Sequence, residues 1–221
     1  MPKQGKKLSV KWKKILLGAM AASTIAVAGF TFKTLPYFIG EKVIEVVDGD
    51  TFQLANKQNV RLYGLDAPEP ENCLGQEAKQ ALEALIFGKK VILREPIVIN
   101  GRPICLVYQD NIFVNEVMLR LGLAIYDRHG QSETARLKEA SNYAKENQVG
   151  VYSVKCTELK PSDQKCTIKG NIDPERNLKE YYQADCRFYP LVIIQKYEGD
   201  RWFCTEKEAK DSGFVPASSC R

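Results

Sequence analysis

The sequence predicts an α+β chain that is mainly β: a five-stranded barrel carrying three helices, followed by a small disulfide-stapled domain and preceded by a hydrophobic export segment. Three observations predict it. Short alternating strands separated by turn dipeptides begin at Glu41, helical apolar spacing appears only after the first three of them, and four of the seven cysteines fall in residues 166–221. The composition is ordinary for a globular protein, with 44% hydrophobic and 27% charged residues in 221, which excludes disordered and collagen-like chains. The single histidine, His129, excludes a His-pair metal site and any mechanism that needs two imidazoles.

Residues 1–14 are basic, and residues 15–32 are an uncharged apolar run of 18 residues ended by Lys33. This is the pattern of an export signal, and Ala26-Val27-Ala28 fits the small-x-small cleavage rule. Eighteen residues also reach the lower limit for a spanning helix. Residues 1–35 are therefore expected to be a signal peptide or an N-terminal membrane anchor through residues 15–32, leaving the remainder outside the cytoplasm. In that compartment cysteines form disulfides, and an odd number leaves at least one unpaired.

The barrel is expected over residues 37–155. EKVIEVV, TFQLA and VRLYGL read as a meander, separated by a DGD turn and the turn-prone NKQN. Residues 76–87 place Ala78, Ala81, Leu82, Leu85 and Ile86 on one helical face and stop at Gly88. KKVILRE and PICLVY give two further strands, a second helix begins at Asn115 and ends at Gly122, and a third spans residues 134–147. Five strands with helices inserted late outline an OB-fold barrel. Residues 156–165 are polar, contain Pro161 and read as a linker. Residues 166–221 form a unit small enough to need covalent staples. Its four cysteines could hold zinc, but an exported chain favours two disulfides.

Net charge is misleading here. Six lysines and no acid lie in residues 1–28, so the formal +5 becomes −1 for the rest. Nucleic-acid binding must then come from placed residues rather than bulk charge.

Such residues are present. Asp48 and Asp50 flank Gly49 at a strand-to-strand turn, and Asp66 and Glu69 follow the VRLYGL strand, with Arg61 just before and Arg102 in an NGRP segment. Each acid alone reads as turn chemistry. Together they offer two acids for a hard cation, one for a water molecule and two guanidinium groups for a phosphate.

These segments, V-x-D-G-D-T-F, R-L-Y-G-L-D-A-P-E, G-Q-E-A and N-G-R, resemble the thermonuclease (staphylococcal nuclease-like) family over residues 42–153, in the family's order. The resemblance implies that Asp50, Asp66 and the backbone carbonyl of Ala67 ligate Ca²⁺, that Glu69 is the general base, and that Arg61 and Arg102 bind the scissile phosphate, with Asp48 nearby. It implies hydrolysis of DNA and RNA, with unpaired strands preferred. Ala67 stands where the family often has Thr, and Pro103 follows Arg102 where Gly is common. The IYDRHGQS stretch is shorter than the family's tyrosine-bearing loop, so Tyr126 is either a base-stacking residue or part of the core. The I-K-G-N and R-W-F-C-T-E segments are similar to a small module, the sunset domain, appended to exported bacterial nucleases, with Tyr182 in place of its usual His. A catalytically silent OB-fold binding module is the alternative reading, and it has no need for a base beside a metal site.

Overall fold

The computed structural model describes residues 38–127, 132–174 and 176–220. The export segment and His129 lie outside them. Strands β1 (Phe38–Val46), β2 (Thr51–Leu54) and β3 (Asn59–Leu62) form the expected antiparallel meander, with Glu45 opposite Gln53 and Thr51 opposite Arg61. A two-residue strand β4 (Leu65–Asp66) and a loop lead into helix α1 (Gly75–Ile86). The hairpin of β5 (Lys90–Ile99) and β6 (Arg102–Gln109) follows, and then the short β7 (Ile112–Phe113) runs directly into α2 (Val114–Arg120). Strand β8 (Ile125–Tyr126) pairs with β4, and α3 (Thr134–Glu146) completes this part.

One pairing turns the sheet into a ring. Strand β3 pairs with β2 on one side and in parallel with β6 on the other, placing Arg61 opposite Ile104 and Leu62 opposite Cys105. Because β1 joins β2 to β5 and β5 joins β6, the five strands close on themselves. Alternation explains the filling: Val43, Phe52, Val60, Leu62, Val91, Cys105 and Val107 point inward and are almost wholly buried. Helix α1 seals the ring with Ala78, Leu82 and Ile86, the i, i+4 stripe read from the sequence. It ends where expected, since Gly88 adopts φ 72°, a left-handed conformation that suits glycine.

The second part contains β9 (Thr157–Glu158), β10 (Ile168–Asp173), β11 (Leu178–Tyr182), β12 (Ile194–Gln195), β13 (Arg201–Phe203), α4 (Glu206–Asp211) and β14 (Val215–Pro216). Its four-stranded sheet, in the order β13-β10-β11-β14, buries only a small core of Ile168, Tyr181, Phe203, Ala209 and Phe214. Two disulfides, Cys166–Cys204 and Cys186–Cys220, staple it. Strand β9, within the segment read as a linker, pairs with β12. A third disulfide, Cys73–Cys156, adds to the two expected staples and joins the loop before α1 to the start of that segment. The odd cysteine is Cys105, enclosed in the barrel, where burial pushes its thiol up to about 12 and leaves it inert.

Asn115 is the buried polar residue that ties α2 to the ring closure. Its side-chain oxygen accepts the Val107 N–H at 2.8 Å, and its amide donates to the carbonyls of Tyr63 at 2.9 Å and Cys105 at 3.2 Å. The Cys105 carbonyl also accepts the Tyr63 N–H at 2.8 Å, beside the β3–β6 pairing. Removing the amide would strand buried backbone groups, each at a cost of about 1–3 kcal/mol. Asn115→Ala should therefore lower stability by roughly 2–4 kcal/mol in a urea titration of the oxidised protein. An unchanged midpoint would show that the ring closes without this bridge.

Candidate active site and metal centre

The site begins at the turn between β1 and β2. The Asp48 carboxylate accepts the N–H groups of Asp50 at 2.9 Å and Thr51 at 2.7 Å, so its side chain caps the turn. Gly49 is needed there because an added Cβ would lie 2.6 Å from the Ala78 side chain and 2.7 Å from that of Ala67. With the turn pressed against α1 in this way, the next residue is driven inward. Asp50 is only 2% exposed. Its carboxylate accepts the Thr51 hydroxyl at 2.8 Å and the Ala67 N–H at 3.1 Å, and pairs with Arg61 Nη2 at 2.7 Å.

Arg61 reaches Asp50 because β3 lies beside β2, with Arg61 directly opposite Thr51. The same Nη2 hydrogen-bonds Asp66 at the end of β4. The two acids differ sharply in access: the Asp66 side chain is 43% exposed and that of Asp50 3%. Glu69 follows in the loop to α1. Its carbonyl accepts the Asn72 N–H at 2.8 Å, and a Cβ at Gly75 would sit 1.9 Å from that carbonyl oxygen, so only glycine lets the loop fold back on the helix start.

Negative charge exceeds positive charge in this cluster. Burial pushes the Asp50 carboxyl up to about 7, Arg61 opposes the shift, and Asp48 adds to it. Glu69 is raised by burial first and then by Asp48, Glu71 and Asp66, against the pull of Arg61. For Arg61 burial acts downward, yet Asp50, Asp66 and Asp48 together hold its guanidinium above the ordinary range. Sequence reasoning missed one member. Glu198, in the turn after β12, is pushed up to about 7 by burial and then by Asp66 and Asp200. No motif marks it, because it enters from the far end of the chain.

The donor set fits a hard cation. Carboxylate oxygens of Asp50 and Asp66, which meet at one guanidinium nitrogen, are ligands of the type Ca²⁺ accepts in irregular geometry, and the surplus of partly desolvated acids over one guanidinium favours an added positive charge.

Arg102 stands apart. It opens β6, two residues before Ile104, the parallel partner of Arg61, so it shares the outer face of the barrel with Arg61. It is exposed and forms no ion pair among the described residues. Beside Arg61 lies a groove of about 340 Å³ bounded by Arg61, Ile97, Ile99, Ile104 and Asp127, and Arg102 lies next to it, across the hairpin from Ile99. Tyr126 is partly buried against the barrel core, opposite Leu65. Trp202 lies near the buried Lys169, and Phe203 belongs to the core of the second part.

A sequence profile described as staphylococcal nuclease homologue matches residues 59–154. Among curated proteins, the chain is 34% identical over 132 residues to an uncharacterized protein of Bacillus anthracis, covering 52% of this chain and 61% of that protein, just under two thirds of it. It is 32% identical over 130 residues to a micrococcal nuclease of Shigella flexneri, covering 52% of this chain and 74% of the relative. An uncharacterized endonuclease of Escherichia coli is 29% identical over 133 residues, with 56% and 84% covered.

The raised carboxyls dictate a pH dependence. At low pH Asp50 and Glu198 are protonated in both folded and unfolded chains. Above about 4 the unfolded chain ionises them first, so folding stability from these groups is lost as pH rises through about 7. In EGTA the melting temperature should therefore fall between pH 5 and pH 8. Added Ca²⁺, which takes the ionised acids, should raise it more at pH 8 than at pH 5. Scanning fluorimetry is the check, and an equal Ca²⁺ increment at both values would contradict this charge assignment.

Proposed function

Since the chain belongs to the staphylococcal nuclease family, we propose that it is an exported, Ca²⁺-dependent nuclease hydrolysing phosphodiester bonds of DNA and RNA, with single strands preferred. The observation that carries the reading is the convergence of Arg61 with Asp50 and Asp66, with Glu69 on the loop that follows. A protein that only bound nucleic acid would gain nothing from burying an acid beside other acids.

Asp50, Asp66 and the Ala67 carbonyl would hold the ion, which when bound supplies positive charge to the phosphoryl oxygens. Glu69 takes a proton from the water molecule that attacks phosphorus. Its raised affinity for protons brings it closer to the range a general base needs near neutral pH. The P–O5′ bond then breaks, the 5′ oxygen leaves with a proton from solvent, and the other strand end keeps a 3′-phosphate. Arg61 neutralises charge building on the equatorial oxygens, for which a planar guanidinium is better matched than an ammonium group. Arg102, on the same barrel face, is the second guanidinium for the phosphate.

An extracytoplasmic location is supported by the basic and apolar residues 1–35 and by the pairing of six cysteines, chemistry that persists in oxidising compartments. With bulk charge near neutral beyond residue 28, substrate contacts should be few and placed.

Single-stranded DNA should be cleaved in Ca²⁺ and left intact in EGTA. Glu69→Gln should still bind DNA while turnover falls at least about 100-fold. Full turnover in that variant, or cleavage in EGTA, would reject the reading.

A further inference from the structure

Asp66 ends strand β4, and the loop after it, carrying Ala67 and Glu69, is short of its own supports. It leaves a two-residue strand and contains no regular structure before α1. The second part of the chain supplies what the loop lacks. Cys73 N–H donates to the Lys196 carbonyl at 3.2 Å, and the Asn72 side-chain amide donates to the Tyr197 carbonyl at 3.2 Å. Cys73 is also bonded covalently to Cys156, whose carbonyl accepts the Lys196 N–H at 2.8 Å. Asn72 therefore holds Glu69 with its backbone and Tyr197 with its side chain.

The other end of the loop rests on the same support. Ile125, opposite Asp66 in the β4–β8 pair, packs with Cys73, Leu74 and Tyr152 on a buried cluster of Val151, Cys156 and Tyr197.

The support is itself rigid. The turn after β12 is closed by Asp200, 2% exposed, whose carboxylate accepts the N–H groups of Gln195 at 3.0 Å and Ile172 at 2.7 Å, tying the turn to β10. Strand β12 is in turn paired to β9, which leaves the Cys156 end of the disulfide. A loop pinned by backbone bonds, a side-chain amide and a disulfide to a clamped turn has few ways to shift. Displacement of a reacting group by about 1 Å can cost on the order of 100-fold in rate.

We infer that the C-terminal part is a working component of the active site: its turn at residues 195–200 positions Asp66 and Glu69, through Asn72 and the Cys73–Cys156 disulfide as positioning residues. The inference rests on the nuclease reading above and assigns that reading a second structural requirement.

Full-length wild type, Asn72→Ala and the double variant Cys73→Ser/Cys156→Ser would be compared in two measurements. Steady-state cleavage of single-stranded DNA in Ca²⁺ should show kcat lowered about 10-fold or more in both variants, with KM changed less than about twofold, per mole of folded protein. Hydrogen exchange in EGTA should show residues 66–74 exchanging faster in both variants, while β1, β2, β3, β5 and β6 keep their protection. Wild-type kcat in both variants, with the wild type active, would overturn this inference and leave the nuclease reading standing. Unchanged exchange at residues 66–74 would overturn it equally. An inert wild type would overturn the nuclease reading and this one with it.

Discussion

The buried carboxylate of Asp50 is the constraint around which the rest of the site is arranged. It fixes three separate pieces of chain: its own turn through Thr51, the following loop through the Ala67 N–H, and strand β3 through Arg61. A carboxylate so enclosed is costly unless paired, and removing its partner would leave an uncompensated charge worth about 3–5 kcal/mol. Arg61 meets part of that demand but is shared with Asp66; Asp48 adds negative charge against Asp50, and Glu69 and Glu198 add theirs against Asp66. The fold thus spends stability to hold acids together. That is the arrangement a site for a hard cation and a phosphate requires.

The barrel makes such an arrangement affordable in geometric terms. Ring closure by β3 and β6 sets Arg61 at a fixed height opposite Ile104, and the turn between β1 and β2 is pressed onto α1 at Gly49. Asp50 and Arg61 accordingly stand on rigid elements. Asp66 ends the two-residue strand β4 and Glu69 stands on the loop after it, and such segments are precise only when something else holds them. Here that is the second part of the chain, whose own core is too small to be more than a stapled platform.

Much of this was legible in the sequence, for physical reasons. The three helices were expected at residues 76–87, from Asn115, and at 134–147, and they lie within one or two residues of those bounds, because apolar spacing and Gly88 mark them locally. Asp48, Asp50, Arg61, Asp66 and Glu69 are separated by short turns and strands, so meander topology alone brings most of them together. The NGRP segment marks Arg102 as a phosphate ligand beside Arg61, yet only strand register, which no local signal carries, places it on that face. Cys73–Cys156, Asn72 to Tyr197 and the approach of Glu198 to Asp66 are contacts between segments far apart in sequence. Seven cysteines without a C-x-x-C spacing leave such pairing open.

The claim that Asp50 and Asp66 hold Ca²⁺ is tested most directly by calorimetric titration of Ca²⁺ into the wild type and into Asp50→Asn/Asp66→Asn at pH 8. The account requires a saturable binding heat in the wild type that disappears in the double variant, since each substitution removes one anionic ligand. Equal Ca²⁺ affinity in the two proteins, or no binding heat in the wild type, would contradict it.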